Sequence, residues 1–391
     1  MLALSTFYFL GTIDYGITLE YNQKEIASVA KIAVVLFFFT YHSLMISKFD
    51  VKISVEKLKK YTKEGYFNHT FLIVINALAI LINLAVIIKV LLIIGHYSWG
   101  DEYRHVLGRV IPGELTIFGL IVIILFHFNT LFFLGSKGKT RILYILFNLL
   151  IVFEVFQNSS RSSFVFLFVP SVFLILLLNS KNIFRTKYIV IGLTLLLLSS
   201  FWGYYRLVNR PNIDFEKIVA NTGFPTKYIA FYDAVVTFRG SVEIYNKAVC
   251  GVEDFEYGGF LFRPVKQFFD KKELGSAQYV AIKYIGKHPI EKAALPPTLV
   301  GGFYLDFGLL GSIIGPLLML ILLSFFKKTN NIVVFGLLYT YLLTYYMISI
   351  YGNFFNNIGF PLTLVIYVLI GFLVFKKYKL NINEYSILSK P

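Results

Sequence analysis

Charged residues and cysteine are both scarce in this chain of 391 residues. Aspartate, glutamate, lysine and arginine together make up 15% of the sequence, whereas 57% of it is hydrophobic. A soluble globular domain carries roughly 25% charged residues, so a soluble protein of this length is excluded and an integral membrane protein is indicated. Cys250 is the single cysteine, which excludes internal disulfides and any cysteine-based metal cluster.

Acidic residues are fewer than basic ones, 22 against 37, which gives a formal net charge of +15. In a soluble domain such an excess would suggest a nucleic-acid partner. Here most lysines lie between apolar runs, where the cytoplasmic loops of membrane proteins collect positive charge. The excess therefore reports membrane orientation, and no nucleic-acid partner is expected.

Patterns typical of a metal site or an ion pathway are also missing. The sequence has no Asp-x-Asp motif, and the paired acids Glu253 and Asp254 have few neighbours that could complete a coordination shell. Acidic residues do not recur through successive apolar runs, which argues against an ion-coupled transporter. Glu154 does lie inside a run and near Arg161; a structural Glu–Arg pair and a catalytic carboxylate are both open for it. We predict no metal and no cofactor.

Ten apolar runs have about the length that crosses a bilayer, roughly 20 residues. They are residues 2–19, 28–47, 70–95, 112–135, 140–157, 162–179, 187–205, 299–326, 330–350 and 358–376. The short connections at 48–63, 137–141, 181–187, 327–328 and 376–377 are basic. All of these connections fall on one side of the membrane if the runs alternate in direction, and that side is the cytoplasm.

This alternation predicts a multi-pass protein with both termini in the cytoplasm. Residues 1–205 then hold seven spans, residues 206–298 form a large extracytoplasmic loop, residues 299–379 hold three more spans, and residues 380–391 are a cytoplasmic tail. Short helices are predicted in the loop at 239–248 and 276–285 from their apolar spacing, with glycine-rich breaks between them.

The large loop combines arginine with aromatic residues. Its arginines are Arg206, Arg210, Arg239 and Arg263, interleaved with tyrosine and phenylalanine. Guanidinium groups bind phosphate in two-point geometry, and aromatic faces pack on sugar rings. The pattern indicates a surface for a phosphorylated saccharide, and a solvated loop without a ligand is the alternative.

Two shorter stretches add candidate site residues. Arg161 lies in a serine-rich turn before an apolar run, where its guanidinium and the free N–H groups of a helix start would suit a phosphate; lying in lipid headgroups is the alternative. After the loop, Pro296 and Pro297 favour a helix start. The glycines at 301, 302, 308, 311 and 315 favour close helix packing. Asp306 lies among them and is harder to explain by packing.

At these residues a family resemblance is recognisable. The stretch from Pro296 to Gly311, Pro-Pro-Thr-Leu-Val-Gly-Gly-Phe-Tyr-Leu-Asp-Phe-Gly-Leu-Leu-Gly, resembles the signature that follows the large outer loop in Wzy-type O-antigen polymerases. The turn at 159–161 is similar to a serine-arginine element of the same family. O-antigen ligases have a comparable layout, with a functional histidine where this chain has His288. Their usual His-Asn pair is replaced here by His288-Pro289, which counts against a ligase.

The resemblance implies an all-α polytopic membrane protein with a GT-C-like glycosyltransferase architecture in the bacterial cytoplasmic (inner) membrane. It implies polymerisation of undecaprenyl-diphosphate-linked oligosaccharides into O-antigen or capsule-type polysaccharide at the outer face. The alternatives are ligase-type transfer and a lipid-linked oligosaccharide flippase. Partners implied are the lipid-linked donor and acceptor, the bilayer, a chain-length regulator and a flippase.

The same resemblance, with the chemistry of a leaving diphosphate, gives a set of expected site residues. Arginines would stabilise the diphosphate as the bond breaks, and a base near neutral pH would deprotonate the acceptor hydroxyl. The expected catalytic residues are Arg161, Arg239 and His288. The expected substrate-binding residues are Arg206, Arg210, Asp233, Arg263, Glu291, Tyr304 and Asp306. Asp233 and Glu291 are also alternatives to His288 as the base.

Overall fold

The computed structural model describes residues 67–97, 102–103, 106–107, 116–157, 161–178, 205, 252, 254–270, 274–284, 286, 299–328, 333–348 and 359–374. These residues form helices and turns, without a strand among them. The helices are α1 (His69–Ile94), α2 (Thr116–Gly135), α3 (Gly138–Gln157), α4 (Arg161–Leu178), α5 (Arg263–Phe269), α6 (Ser276–Lys283), α7 (Leu299–Lys328), α8 (Val333–Ile348) and α9 (Gly359–Val374).

Helices coincide with seven of the ten predicted spans. The spans at 2–19, 28–47 and, apart from its last residue, 187–205 lie outside the described residues. Within the described part, α1 and α3 are long and apolar enough to cross a bilayer, and residues 119–135, 163–175 and 361–374 form shorter apolar helical segments. The helical composition agrees with a membrane protein, while the count of ten spans and the GT-C-like architecture stay predictions.

Capping residues set the limits of α1. The side chain of Asn68 accepts a hydrogen bond from the Phe71 N–H at 3.1 Å and so satisfies a free donor of the first turn. At the other end Gly95 takes φ +82°, and its N–H donates to the carbonyl of Leu91 at 2.9 Å. An apolar stretch between a polar cap and a glycine therefore becomes one uninterrupted helix.

Side-chain contacts fix the relative directions of α1, α2 and α3. His69 is the first residue of α1, and its Nδ1 lies 2.8 Å from the hydroxyl of Tyr144, early in α3. Past the end of α1, the Tyr97 hydroxyl donates to Gln157 at the end of α3, at 3.1 Å. The ring of Phe132, late in α2, packs on both His69 and Tyr144. Helices α1 and α3 thus run parallel and α2 runs against them.

The remaining helices complete one end of the bundle. Phe156 late in α3 packs on Phe164 early in α4, with ring centroids 4.7 Å apart, and Tyr345 late in α8 packs on Phe166 at 4.5 Å. Helices α7 and α8 pack together and are joined through residues 329–332 alone, so they form an antiparallel hairpin. Because α7 runs antiparallel to α8, the part of α7 that leads into α8 begins at the end of the bundle where α1, α3 and α8 have their last residues. We call this the loop end of the bundle.

Buried polar side chains join the helices inside the bundle. Asn76 of α1 and Asn129 of α2 exchange amide hydrogen bonds at 2.8 and 2.9 Å. His127 of α2 accepts from the Tyr367 hydroxyl of α9 and donates through Nε2 to the Phe166 carbonyl of α4 at 2.9 Å. A polar group inside an apolar bundle is costly unless it is paired. These hydrogen bonds explain why a histidine is buried at position 127: it joins three helices of the bundle.

Candidate functional site

Helix α7 is broken at Gly308, which corrects the prediction of one continuous span over 299–326. Gly308 has φ +62° and ψ −146°, a combination that is essentially restricted to glycine. A Cβ at this position would also lie 2.7 Å from the ring of Phe255. Residues 299–307, named α7a, and residues 309–328, named α7b, are therefore two helical segments that meet at an elbow.

Segment α7a folds back against α7b. A Cβ on Gly311 would fall on the carbonyl oxygen of Phe303, and a Cβ on Gly315 would lie 2.6 Å from Cγ of the same residue. In a straight helix, residues 303 and 311 would be about 12 Å apart along the axis. The close approach expected at these glycines is present, and its partner is the preceding segment of the same helix.

The carboxylate of Asp306 connects α7a to the large loop. Its Oδ1 accepts hydrogen bonds from the backbone N–H groups of Gly258 and Phe260, and its Oδ2 accepts one from Leu261, each at 2.9 Å. The side chain of Asp306 has 0% of its surface exposed. Bonds from N–H groups to a carboxylate are the stronger kind. We call this arrangement the Asp306 clamp, and it makes Asp306 a positioning residue; its expected bond to a sugar is not tested by these contacts.

Backbone bonds and apolar packing extend the clamp. The Glu256 N–H donates to the Leu305 carbonyl, and the Tyr257 N–H donates to the Asp306 carbonyl, both at 3.0 Å. Leu305 also packs in a small core with Phe260 and with Val280 of α6. Residues 254–270 and 274–284 of the loop therefore form a unit, the loop unit, that is fixed to one side of α7a.

Tyr304 lies on the bundle side of the same segment. It is buried in the main hydrophobic core, and its ring meets the ring of Phe255 edge to face, with centroids 6.1 Å apart. Tyr304 and Leu305 are adjacent in sequence but pack in different cores. Segment α7a thus lies between the bundle and the loop unit, packs against both and fixes their relative position.

Arg263 is the loop arginine that the structure describes. It is the first residue of α5, it is buried, and its guanidinium carbon lies 3.4 Å from the centroid of the Tyr279 ring. Cation–π contact of this kind restrains the plane of the guanidinium. Arg263 thus packs on an aromatic ring of the same loop, and its expected role in binding phosphate stays a prediction.

Glu256 is the centre of a polar network that the sequence analysis missed. Its Oε1 accepts hydrogen bonds from the Tyr279 hydroxyl, from Lys283 Nζ at 2.6 Å and from the Tyr284 hydroxyl at 3.1 Å. Tyr279 and Lys283 are four residues apart on α6 and share a face, but no sequence signal joins them to residue 256. Burial alone raises the pKa of Glu256, and the bonds from Lys283 and the tyrosines outweigh it, so this pKa is lowered.

The lowered pKa of Glu256 predicts how stability changes with pH. A group whose pKa is lower in the folded state stabilises the fold fully above its ordinary value of 4.5, and this contribution disappears as the pH falls through the folded-state value. We expect Glu256→Gln to cost about 1–3 kcal/mol at neutral pH, because charged hydrogen bonds are lost. Thermal unfolding of the purified protein at a series of pH values measures this.

Asp254→Asn is the matched control, since Asp254 is exposed two residues earlier in the same loop. Its unfolding midpoint at neutral pH should be close to that of the wild type, because Asp254 takes no part in the network. The gap between wild type and Glu256→Gln should narrow below pH 4.5. A gap that stays constant down the acid range would contradict the network.

Most of the other expected site residues lie in parts of the chain that the structure does not describe. Arg161 is the first residue of α4, at the loop end of the bundle. Arg206, Arg210, Asp233, Arg239, His288 and Glu291 lie outside the described residues. Glu154 is 4% exposed near the end of α3, and neither of its carboxylate oxygens has a hydrogen-bond partner among the residues that the structure describes. Within the described part of the chain, no three histidine, cysteine or acidic side chains group as metal ligands; independence from metal stays a prediction.

These features define a class of protein: an integral membrane protein of apolar helices, with a late loop fixed to a broken helix at one end of the bundle. Residues 233–370 match the family described as "Putative O-antigen polymerase". The match supports the O-antigen polymerase family that the resemblance indicated, and this family suggests a glycosyltransferase-type enzyme of O-antigen synthesis. The matched segment includes the Asp306 clamp, Arg263 and both parts of α7. No curated protein and no solved structure matches the chain.

Proposed function

We propose that this protein joins undecaprenyl-diphosphate-linked oligosaccharide repeat units into O-antigen or capsule-type polysaccharide at the outer face of the cytoplasmic membrane, without a metal. The observation that carries the proposal is the family match over residues 233–370. In the reaction, a hydroxyl oxygen of the incoming unit attacks the anomeric carbon of the growing chain. The bond from that carbon to the diphosphate breaks, and undecaprenyl diphosphate leaves with the electron pair.

Stabilising the leaving diphosphate is the main requirement of this reaction. Positive groups that are already in place act most strongly on charge that develops in the transition state. We assign this role to Arg161 and Arg239, with Arg206, Arg210 and Arg263 binding the phosphates. The stacking of Arg263 on Tyr279 supports the assignment, because a fixed guanidinium loses little freedom when it binds.

Deprotonating the acceptor hydroxyl is the second requirement. We assign His288 as the base, because a histidine pKa is near neutral and no other histidine lies in the large loop. Asp233 and Glu291 would hydrogen-bond sugar hydroxyls, and Tyr304, also expected to do so, would need to turn out of the main core to reach a sugar. Asp306 contributes by holding the loop unit on α7a, so that Arg263 stays near the loop end of the bundle.

Alanine at Arg161, Arg239 or His288, one at a time, is expected to shorten surface glycan to a single repeat unit. Loss of one preorganised donor reduces the turnover number about 10²- to 10³-fold in related chemistry. Glycan length on gels, together with accessibility of single units at the cell surface, measures the effect. Asp254→Ala is the control, since Asp254 is exposed on the same loop and belongs to none of the proposed binding surfaces. Units trapped inside the cell would instead favour a flippase, and unaltered long chains would contradict the assignment.

A further inference from the structure

One face of α5 exposes large apolar side chains. Phe262, Val265 and Phe269 are spaced by three and four residues, so they lie on the same side of the helix. Phe262 is 65% exposed and Phe269 is 82% exposed, and Val265 between them is also exposed. Lys266, next to Val265, is exposed as well. A contiguous apolar surface beside a basic side chain is typical of an interaction surface.

This face adjoins the start of α7b. A Cβ on Gly258 would lie 3.7 Å from the ring of Phe262 and 4.0 Å from the ring of Phe307, so the two rings flank the same position. Phe307 is partly exposed at the elbow, and Leu310, the second residue of α7b, is 65% exposed. The apolar face of α5 therefore lies beside the elbow at which α7b begins.

The outer side of α7b has the composition of a lipid-facing surface. Residues 309–326 contain no charged residue, and a helix of that length covers roughly 27 Å, close to the thickness of a bilayer core. Exposed apolar side chains follow one another along it: Leu310, Leu317, Leu318, Ile321 and Phe325. The α5 face lies at the end of this surface, where a membrane-spanning helix reaches the headgroups.

We propose that Phe262, Val265 and Phe269 insert into the outer leaflet at the membrane interface, with Lys266 directed to the phosphates of anionic lipids. Interfacial helices bind by burying apolar side chains below the headgroups while basic ones contact them. The Asp306 clamp holds the loop unit on α7a and so keeps α5 beside the start of α7b. This docking does not depend on the reaction. With the proposed reaction, it would hold Arg263 at the depth of the diphosphate of a carrier lipid.

Tryptophan fluorescence in bilayers tests the depth of this face. The chain has two tryptophans, Trp99 and Trp202, which are replaced by phenylalanine to give a silent background. F262W and F269W then place a single reporter on the face, in an exchange of one aromatic ring for another. Vesicles of phosphatidylglycerol and phosphatidylcholine, with bromine on the acyl chains of the phosphatidylcholine, quench only a ring that enters the membrane.

We expect blue-shifted emission from F262W and F269W, strong quenching by the brominated lipid and weak quenching by acrylamide. D254W is the control, because Asp254 is exposed in the same loop and lies eight residues before Phe262. Acrylamide should quench the emission of D254W. Quenching of F262W and F269W by acrylamide alone would overturn the proposal. If the tryptophan-free background fails to fold, a nitroxide on F262C in a C250S background reports the same depth.

Discussion

The Asp306→Ala variant is expected to release the large loop from α7a and to abolish polymer synthesis. Its carboxylate accepts hydrogen bonds from Gly258, Phe260 and Leu261. Alanine leaves all three donors without that acceptor, and a buried donor without a partner costs about 1–3 kcal/mol. The measurements are the thermal unfolding midpoint of the purified protein, protease cleavage within residues 254–284, and glycan length in cells.

Asp306→Asn gives a graded comparison. Its single carbonyl oxygen can still accept from Gly258 and Phe260, while its amide group would meet the Leu261 N–H, donor against donor. We therefore expect stability between those of wild type and Asp306→Ala. An alanine variant with an intact, protease-resistant loop but no polymer would instead favour the direct sugar contact that the sequence indicates. An asparagine variant less stable than alanine would contradict the clamp.

The spans are predictable from sequence because the signal is local. A bilayer requires a long apolar run, and each run can be found without knowing its neighbours. The helices of the described part follow seven of these runs, and α6 begins at Ser276, where the apolar spacing after Gly275 predicts it. Composition alone therefore gives the class of protein.

The break in α7 is not predictable in the same way. Residues 299–326 look like one span, since their apolar pattern continues through Gly308. The elbow depends on Phe255 and on the Asp306 clamp, both of which involve the loop. Asp306 stands out in the sequence because of its charge, but its partners are backbone N–H groups that any residue possesses. Its role as an anchor is visible only in the fold.

The candidate site residues are also only partly predictable from the sequence. Arginine and aromatic residue types indicate phosphate and sugar chemistry from the sequence. Their arrangement depends on which loop residues meet, as the contact of Arg263 with Tyr279 illustrates. The network of Glu256 with Lys283 joins residues 27 positions apart, and no local pattern connects them. The kind of chemistry is therefore predictable from the residue types, whereas the arrangement of the side chains is not.

The fold-back of α7a makes a prediction that separates two neighbouring glycines. Gly311→Ala and Gly315→Ala should each destabilise the protein, because the added Cβ meets Phe303 in both cases. At Gly315 the clash is with the ring of Phe303, whereas at Gly311 it is with the backbone carbonyl. Phe303→Ala removes the ring and keeps the carbonyl. It should therefore rescue Gly315→Ala and fail to rescue Gly311→Ala.

A double-mutant cycle on thermal unfolding of the purified protein measures this difference. We expect a favourable coupling energy of about 0.5–3 kcal/mol between positions 303 and 315, and little relief between positions 303 and 311. Phe303→Ala alone loses about 3–5 kcal/mol of core packing, which the cycle subtracts. Gly119→Ala is the control, since among the described residues no atom outside its own helical turns lies within 4 Å of a Cβ there. In a straight α7, residue 303 would be two turns or more from both glycines, and both substitutions would be as mild as the control.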